Sequence, residues 1–288
     1  MARLSARAAE NAAGDFFVDT SCIDCDTCRQ IAPEVFGSAP GQACVARQPA
    51  THDSERRALM ALVSCPTSSI GTVSKRDPRA AIDALPEAVA PGVYYCGYAS
   101  ADSYGASSYL VTRRDGNVLV DSPRAARPLL RRLESLGGVS LLFLTHRDDV
   151  ADHAVLARHF RCARALHRRD LSHGTAAIER PLDGDDPIEL GPGVVAVPVP
   201  GHTRGSTALV VDDTFLFSGD HLWWDDDEGG LAASRGVCWY SWPAQLRSLA
   251  RLLDFRFEWV LPGHGRRWQA PSAKAMRAEL ERAIARLK

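Results

Sequence analysis

The sequence predicts an α+β fold in which a small, cysteine-rich domain precedes a larger domain with two β-sheets between helices. Three observations support this prediction. Five of the eight cysteines lie between residues 22 and 65. A stretch with three prolines, 76–91, then separates this part from the rest of the chain. Beyond it, runs of short strand-like segments are interrupted by single segments with helical spacing.

The boundaries follow from these changes in pattern. We expect a flexible N-terminus at 1–13, a cysteine-rich domain at 14–75, a linker at 76–91 and the larger domain at 92–288. Strands of the larger domain are predicted at 93–98, 108–113, 118–121, 139–144, 194–199, 208–211 and 214–217. Helices are predicted at 125–136, 150–160, 244–253 and 273–287.

The composition is that of a folded protein without a strong charge bias. Its 288 residues are 45% hydrophobic, so a large core can form without disulfides. Lys and Arg total 34 against 35 for Asp and Glu, so no strong field attracts nucleic acid or an anionic membrane. Neither a secretory signal nor a membrane-spanning stretch is recognisable. We therefore expect a soluble, cytoplasmic protein that binds neither nucleic acid nor membranes.

The cysteine spacing of the first domain indicates a metal cluster. Cys22, Cys25 and Cys28 form the motif C-x-x-C-x-x-C, and Cys65 lies directly before Pro66. Three thiolates on one loop and a fourth from a distant segment can hold a 4Fe-4S cluster. Four cysteines can also hold zinc, but zinc ribbons usually pair two C-x-x-C motifs. The triplet followed by Cys-Pro therefore favours the iron-sulfur cluster.

This stretch resembles bacterial ferredoxins over about residues 14–75. In two-cluster ferredoxins a further cysteine precedes a proline, and it ligates the second cluster. Here Ala32 precedes Pro33, so the resemblance implies one 4Fe-4S cluster. Cys44 is expected to be a buried thiol and not a ligand. Because such a domain transfers one electron at a time, it implies a redox partner inside or outside the chain.

In the larger domain, His and Asp residues cluster where predicted strands end. The segment THRDDVADH, residues 145–153, has two His and three Asp directly after an apolar run. His202 in PGHTRGS, Asp220 in FSGDHLWW and His264 in PGHGRRW also follow apolar runs, and each lies beside a glycine. Loops at a sheet edge are where metal sites are commonly built. We therefore expect these four segments to form one.

The order of these motifs, over about residues 92–288, resembles the metallo-β-lactamase fold. This αββα sandwich is shared by hydrolases and by the diiron half of flavodiiron oxidases. The resemblance implies two metal positions with an aspartate between them. The ligands that it implies are His146, Asp148 and His202 for the first ion, Asp152, His153 and His264 for the second, and Asp220 between them. It also implies that Asp152 holds the nucleophilic water of a hydrolase.

The first motif departs from the family pattern H-x-H-x-D-H. It reads H-x-D-D-x-x-D-H, two residues longer, with Asp148 or Asp149 where a second His is expected. We expect the extra residues to bulge, so that His146 and one of these aspartates remain at the metal. Otherwise three aspartates near His202 would repel one another without a cation. A carboxylate ligand favours iron or manganese over zinc. The expected ions are thus one or two of zinc, iron or manganese.

Aromatic side chains that follow Asp220 are candidates for a substrate pocket. Trp223 and Trp224 lie on an acidic, glycine-containing loop, and His221 is expected to pack beside the site. His167, in the basic segment HRRDLSHG, is expected at the solvated surface.

Three hypotheses for function follow. The leading one is a hydrolase in which metal-activated water attacks a small-molecule ester, thioester or amide, with a fused electron-transfer domain. The second is an oxidoreductase whose cluster feeds electrons to a non-haem iron centre that reduces a small molecule. The third is an electron-carrier or docking protein with an inactive second domain. Zinc in the larger domain would favour hydrolysis, and iron would favour redox chemistry.

Overall fold

The structure, a computed structural model, describes all 288 residues and divides into two compact units. The first comprises Met1–Ser140 and Ala151–Phe160, and the second comprises Leu141–Val150 and Arg161–Lys288. The first unit therefore includes the cysteine-rich segment together with the beginning of the predicted larger domain. No helix in the structure is both long and apolar enough to cross a lipid bilayer.

The first unit contains five helices and eight strands. The helices are α1 (Thr27–Ile31), α2 (His52–Ser64), α3 (Arg79–Asp83), α4 (Arg127–Ser135) and α5 (His153–Phe160). The strands are β1 (Phe16–Val18), β2 (Phe36–Ala39), β3 (Gln42–Val45), β4 (Ile70–Thr72), β5 (Glu87–Ala90), β6 (Val93–Tyr95), β7 (Tyr109–Val111) and β8 (Val118–Val120). Antiparallel pairs join β1 to β4 and β2 to β3, and β5–β8 form an antiparallel meander.

The N-terminal residues and the predicted linker carry ordered structure. The Asn11 side-chain amide donates to the Val18 carbonyl at 2.8 Å, and its Oδ1 accepts the Val18 N–H at 2.9 Å. The Arg3 N–H donates to Asp19 Oδ2 at 2.7 Å. Residues 76–91 include α3 and β5. The hydrogen bonds of Arg3 and Asn11 attach the N-terminal residues, and the antiparallel pairing of β5 with β6 attaches residues 76–91.

Helix α2 leads to the fourth cysteine of the motif. It begins at a capping box, in which the Thr51 hydroxyl accepts the Ser54 N–H at 3.1 Å and the Ser54 hydroxyl accepts the Thr51 N–H at 3.0 Å. Its buried face includes Leu59 and Met60. The helix ends at Cys65 because the following proline cannot continue it.

The second unit contains eleven strands and two helices. The strands are β9 (Leu141–Phe143), β10 (Ala163–His167), β11 (Arg180–Leu182), β12 (Ile188–Gly191), β13 (Val194–Pro198), β14 (Thr207–Val211), β15 (Phe215–Gly219), β16 (Trp223–Asp225), β17 (Gly230–Ala232), β18 (Trp259–Pro262) and β19 (Trp268–Gln269). The helices are α6 (Trp242–Arg251) and α7 (Ala273–Leu287). Strands β9–β11 pair in parallel, and a six-stranded sheet has the order β12-β13-β14-β15-β18-β19.

Helices α6 and α7 pack on the six-stranded sheet. Leu249 of α6 and Met276 and Leu280 of α7 belong to one buried cluster with Val197 and Val260 of the sheet. The apolar residues of α7 recur at helical spacing, so one face of that helix is buried. Burial of each large apolar side chain contributes about 1.5–3 kcal/mol to the stability of the fold. This packing fixes the helices against the six-stranded sheet.

Every strand and helix predicted for residues 92–288 overlaps one in the structure. Helix α5 begins three residues after its predicted start at 150, because residues 145–152 form an irregular loop. The expectation for His167 was wrong. Its side chain is buried, its Nδ1 accepts the Arg169 N–H at 3.1 Å, and its Nε2 donates to the Gly184 carbonyl at 2.9 Å.

Candidate metal centres

Four strands of the second unit end just before predicted metal ligands. Strand β9 leads into His146, β13 into the loop of His202, β15 into Asp220 and β18 into His264. Strand ends leave loop residues free to turn their side chains toward one point. The strands of the second unit therefore fix the backbone positions from which these four side chains extend.

The side chains of His146, Asp148 and His202 form one group of donor atoms. Their candidate ligand atoms all lie within 4.8 Å of one another. Asp148 Oδ2 is 3.4 Å from Nε2 of His202 and 3.9 Å from Nε2 of His146. Ligand atoms at about 2 Å from one zinc-sized ion lie roughly 3–4 Å apart. The spacing of this group therefore fits a single ion among three donors.

A second group shares His146 and adds Asp149 and Asp220. The candidate ligand atoms of these three residues also lie within 4.8 Å of one another. Asp220 Oδ2 is 3.7 Å from Nε2 of both His146 and His202. Nδ1 of His264 lies 2.9 Å from each carboxylate oxygen of Asp220. Asp220 thus lies between the two histidines of the first group and His264.

A hydrogen bond indicates which nitrogen of His202 is protonated. Nδ1 of His202 faces the Val237 carbonyl, which can only accept, so Nδ1 carries the proton. Nδ1 of His146 lies 3.0 Å from the Thr145 hydroxyl. The Nε2 atoms of His146 and His202 are buried and make no hydrogen bond. A buried Nε2 lone pair, with Nδ1 held by a second group, is the arrangement of a metal-ligating histidine.

The charges of the site also fit a cation. Burial lowers the pKa of His146 to about 4, so its imidazole is neutral near neutral pH. The neighbouring His202 lowers the pKa of Asp148. Burial alone would raise the pKa of Asp220, but His264 and the other two histidines lower it. Ionised carboxylates at such close range need positive charge, and a divalent ion would supply it.

Gly263 in the PGHG motif allows two carboxylates to approach the chain closely. A Cβ at this position would lie 2.6 Å from Asp149 Oδ2 and 2.8 Å from Asp220 Oδ1. Both distances are well below van der Waals contact, so any larger residue would displace a carboxylate. Glycine at this position therefore allows the Asp149 and Asp220 carboxylates to keep their positions.

Asp152 and His153 lie in the first unit, at the start of α5. Asp152 Oδ2 accepts the Ala125 N–H at 2.7 Å, and the His153 side chain is buried. Ala151 has a φ of +23°, a backbone conformation that residues other than glycine rarely adopt. This unusual residue lies where the motif is two residues longer than the family pattern. The roles of Asp152 and His153 as ligands stay predictions.

The predicted pocket residues are partly engaged in packing. Trp224 stacks on Trp268 with ring centroids 4.4 Å apart. Trp223 lies over Gly265, where a Cβ would approach the indole to 2.5 Å. His221 is buried, neither ring nitrogen makes a hydrogen bond, and burial lowers its pKa to about 3. A role for these residues in substrate binding stays a prediction.

An exposed aromatic pair, Trp239 and Tyr240, lies beside His202; Trp239 belongs to the tryptophan cluster that the sequence offers as a pocket wall, and Tyr240 does not. Trp239 is 60% exposed, and its ring centroid lies 6.0 Å from that of His202. The backbone N–H groups of Trp239 and Tyr240 donate to the His202 carbonyl at 2.9 and 3.0 Å. The sequence alone did not indicate that these two residues contact His202, because they lie more than 30 positions away from it.

Asp170 is a further site residue that sequence reasoning missed. Its buried carboxylate accepts the Arg147 N–H at 3.1 Å and the Thr203 hydroxyl through Oδ2. Its Oδ1 accepts the Gly205 N–H at 2.7 Å. Arg147 belongs to the loop after β9, and Thr203 and Gly205 belong to the loop after β13. One carboxylate thus connects the two loops that carry the first ligand group.

We expect Asp170→Asn to weaken zinc binding by about 10- to 100-fold, as is typical for groups that orient metal ligands. Asparagine offers only one acceptor oxygen, so its NH₂ group would face one of the present donors. Competition with a chromophoric chelator measures the affinity. Asp183→Asn is the control, because Asp183 pairs with Arg168 at the surface. Unchanged zinc affinity in Asp170→Asn would contradict the proposal that Asp170 positions the two ligand loops.

The four predicted cluster ligands line one cavity in the first unit; they are Cys22, Cys25, Cys28 and Cys65. Burial raises the pKa of Cys25 and Cys28, and the neighbouring thiols raise it further. The Asp24 N–H donates to Cys22 Sγ at 3.4 Å, and the Ser69 N–H donates to Cys65 Sγ at 3.3 Å. Such hydrogen bonds stabilise thiolates that ligate iron. The cavity therefore fits a 4Fe-4S cluster.

Comparisons with known proteins identify the first domain and the fold of the larger one. Residues 18–72 match the family model of the 4Fe-4S single cluster domain of Ferredoxin I. A solved structure of the BLEG-1 B3 metallo-β-lactamase is 17% identical, covers 62% of this chain and 93% of its own, and has a TM-score of 0.50. No curated protein sequence matches the chain.

Two further solved structures are similar at lower TM-scores. ETHE1 from Myxococcus xanthus is 19% identical, covering 66% of this chain and 84% of its own with a TM-score of 0.47. TTHA1623, solved in a di-iron-bound form, is 28% identical, covering 57% and 89% with a TM-score of 0.45.

The chain thus joins a single-cluster 4Fe-4S ferredoxin domain to a metallo-β-lactamase fold. This confirms the predicted α+β fold class and the predicted fusion. The family match implies one 4Fe-4S cluster, and the grouped His and Asp side chains form a candidate site for divalent metal.

Proposed function

We propose that the protein is a metal-dependent hydrolase with a fused iron-sulfur electron-transfer domain. The observation that supports this most directly is that the unbonded Nε2 atoms of His146 and His202 converge on Asp148. A divalent ion held there would lower the pKa of a bound water and polarise a carbonyl group. The proposed substrate is a small molecule with an ester, thioester or amide bond.

The side chains around this position have distinct proposed roles. His146, His202 and Asp148 bind the ion. Asp220, which is paired with His264, supplies a further carboxylate next to it. Hydrolysis also needs a base that accepts a proton from the attacking water. We propose Asp152 for that role. Its Oδ2 is held by the Ala125 N–H, which leaves Oδ1 to accept a hydrogen bond from water.

The test uses full-length protein purified without oxygen, with metals quantified before and after reconstitution with zinc. A panel of chromogenic thioesters, esters and amides then serves as substrates. We expect hydrolysis of at least one class, its loss on chelation and its recovery with zinc. Stoichiometric zinc without hydrolysis of any substrate in the panel would contradict the proposal.

The ligand chemistry favours an iron-dependent oxidoreductase as the second candidate. Three carboxylates, those of Asp148, Asp149 and Asp220, accompany the histidines, and such hard oxygen donors suit iron or manganese. In this function the cluster passes electrons to the iron centre, which reduces a small molecule. Two results would favour the oxidoreductase: iron bound in the larger domain, and reoxidation of the reduced cluster by oxygen or nitric oxide. A protein that lacks metal in this fold would favour an electron carrier.

A redox partner protein and a cytoplasmic location belong to the same proposal. A 4Fe-4S cluster accepts one electron at a time, so it needs an electron donor or acceptor. Cysteine ligands are best preserved in a reducing compartment. Pull-down of electron carriers by the reduced protein and fractionation of cells would test these two points.

A further inference from the structure

Part of the surroundings of the cluster site lies outside the segment that matches the ferredoxin family. The Thr27 hydroxyl donates to the Gly105 carbonyl at 3.1 Å, and it lies 3.3 Å from Cys25 Sγ. Gly105 follows the matched residues 18–72 by more than 30 positions. All three residues belong to the first compact unit. A turn between β6 and β7 therefore reaches the loop that carries a predicted cluster ligand.

Gly105 packs tightly on the side chain of Cys25. Its φ is +86°, and a Cβ there would lie 2.5 Å from the Cys25 Cβ and 2.7 Å from the Cys25 sulfur. Only glycine satisfies both conditions. The Gly105 N–H donates to the Ser100 carbonyl at 2.8 Å, and the Ala106 N–H donates to the Ser103 carbonyl at 2.9 Å. These hydrogen bonds of the turn hold the Gly105 backbone beside Cys25.

The chain directly before Cys65 is contacted in a comparable way. The Ala99 N–H donates to the Ser64 carbonyl at 3.1 Å, and Arg124 Nη2 donates to the Val63 carbonyl at 2.9 Å. The last carbonyls of a helix have no partner within that helix. These donors supply the missing hydrogen bonds at the end of α2. Residues that follow β6 therefore support two of the four predicted cluster ligands.

The Thr27 hydroxyl has one proton and two acceptors within reach. A cysteine that ligates iron is a thiolate, which can only accept a hydrogen bond, and the Gly105 carbonyl also only accepts. Burial raises the pKa of the Cys25 thiol, whereas hydrogen bonds from Thr27 lower it. Hydrogen bonds to a charged acceptor are roughly twice as strong as those between neutral groups. The sulfur therefore attracts this proton more strongly as the cluster becomes more negative.

We propose that Thr27 and Gly105 are positioning residues that set the reduction potential of the cluster. Gly105 keeps Cys25 next to the Thr27 hydroxyl, and its carbonyl competes with the sulfur for the hydroxyl proton. Reduction adds one electron from an external donor and changes no covalent bond, and the hydroxyl then turns toward the sulfur. Hydrogen bonds to the sulfurs help to set the potential of such clusters. This inference concerns the cluster alone and does not depend on the proposed hydrolysis.

The test measures the reduction potential of the cluster in full-length protein purified without oxygen. Visible absorbance follows the cluster while dithionite is titrated in the presence of redox mediators. Thr27→Val removes the hydroxyl and keeps the shape of the side chain. Because the lost hydrogen bond stabilises the reduced cluster, we expect reduction to become about tenfold less favourable. This corresponds to a fall of about 59 mV for one electron.

Two further variants isolate the hydroxyl. Thr27→Ser keeps it and should restore most of the parent potential. Thr20→Val is the matched control, because Thr20 is exposed on the segment before Cys22, and it should keep the parent potential. An unchanged potential in Thr27→Val, an equal fall in Thr20→Val or no recovery in Thr27→Ser would overturn the role of the hydroxyl. If Thr27→Val loses its cluster, Thr27→Ala decides in its place, since it adds no methyl group beside Gly105.

A pair of glycine variants tests the packing on Cys25. Gly105→Ala should lose much of its iron and sulfide, because the new methyl group would displace the Cys25 side chain. Gly41→Ala is the matched control, since Gly41 has a φ of +74° but a Cβ there would meet nothing within 4 Å. It introduces similar backbone strain away from the ligands and should retain the cluster. Full cluster content with an unchanged potential in Gly105→Ala, or equal loss in Gly41→Ala, would overturn the role of Gly105.

Discussion

His202→Ala is expected to remove the metal ion from the larger fold and to abolish hydrolysis. Nε2 of His202 lies 3.4 Å from Asp148 and 3.7 Å from Asp220, so this nitrogen is close to both acidic side chains. Its loss should reduce zinc affinity by more than the roughly 10- to 100-fold typical of groups that only orient ligands. Elemental analysis after gel filtration, together with the hydrolysis assay, measures both effects.

His173→Ala is the matched control for this variant, because His173 is an exposed histidine of the same unit. It should retain metal and activity. The iron and sulfide content of both variants should equal that of the parent, since the cysteines of the cluster site lie elsewhere in the chain. Full zinc content in His202→Ala would show that the ion is bound by other residues.

Cys65→Ser is expected to lose the 4Fe-4S cluster, whereas Cys44→Ser is expected to retain it. Cys65 lines the cavity shared with the other three cysteines of the motif, and its sulfur accepts a backbone N–H. A serine hydroxyl is far less readily ionised than a thiol and is a poor ligand for iron at neutral pH. Cys44 is buried on β3 and is not among the four.

Iron and sulfide analysis of the anaerobically purified variants measures this difference, and visible absorbance reports it directly. Circular dichroism distinguishes loss of the cluster from loss of the fold. Equal loss of iron from Cys44→Ser and Cys65→Ser would contradict the assignment of the four ligands.

The sequence by itself predicted the type of both sites, because much of the spacing that indicates them is local. Cys22, Cys25 and Cys28 lie within seven residues, so one loop presents all three thiols. Cys65 was recognisable because it lies directly before Pro66, as the last cluster ligand does in the ferredoxin pattern. The histidines and aspartates of the larger fold were recognisable because each follows a buried strand, and strand ends are visible in the hydrophobic pattern.

The loop THRDDVADH shows where local spacing is insufficient. The sequence left Asp148 and Asp149 as alternatives, but the structure places one in each donor group around His146. Which way each carboxylate turns depends on the backbone of an irregular loop and on close neighbours such as Gly263. Hydrophobic periodicity contains no information about either.

Only the tertiary structure decided which distant segments meet. Asp170 connects two ligand loops, Trp239 lies beside His202, and Arg124 reaches the end of α2. Each contact joins residues more than 20 positions apart, and it exists because strand pairing and helix packing bring those positions together. Local spacing determines which atoms of one loop can share an ion. The long-range packing of the core determines which loops are close enough to do so.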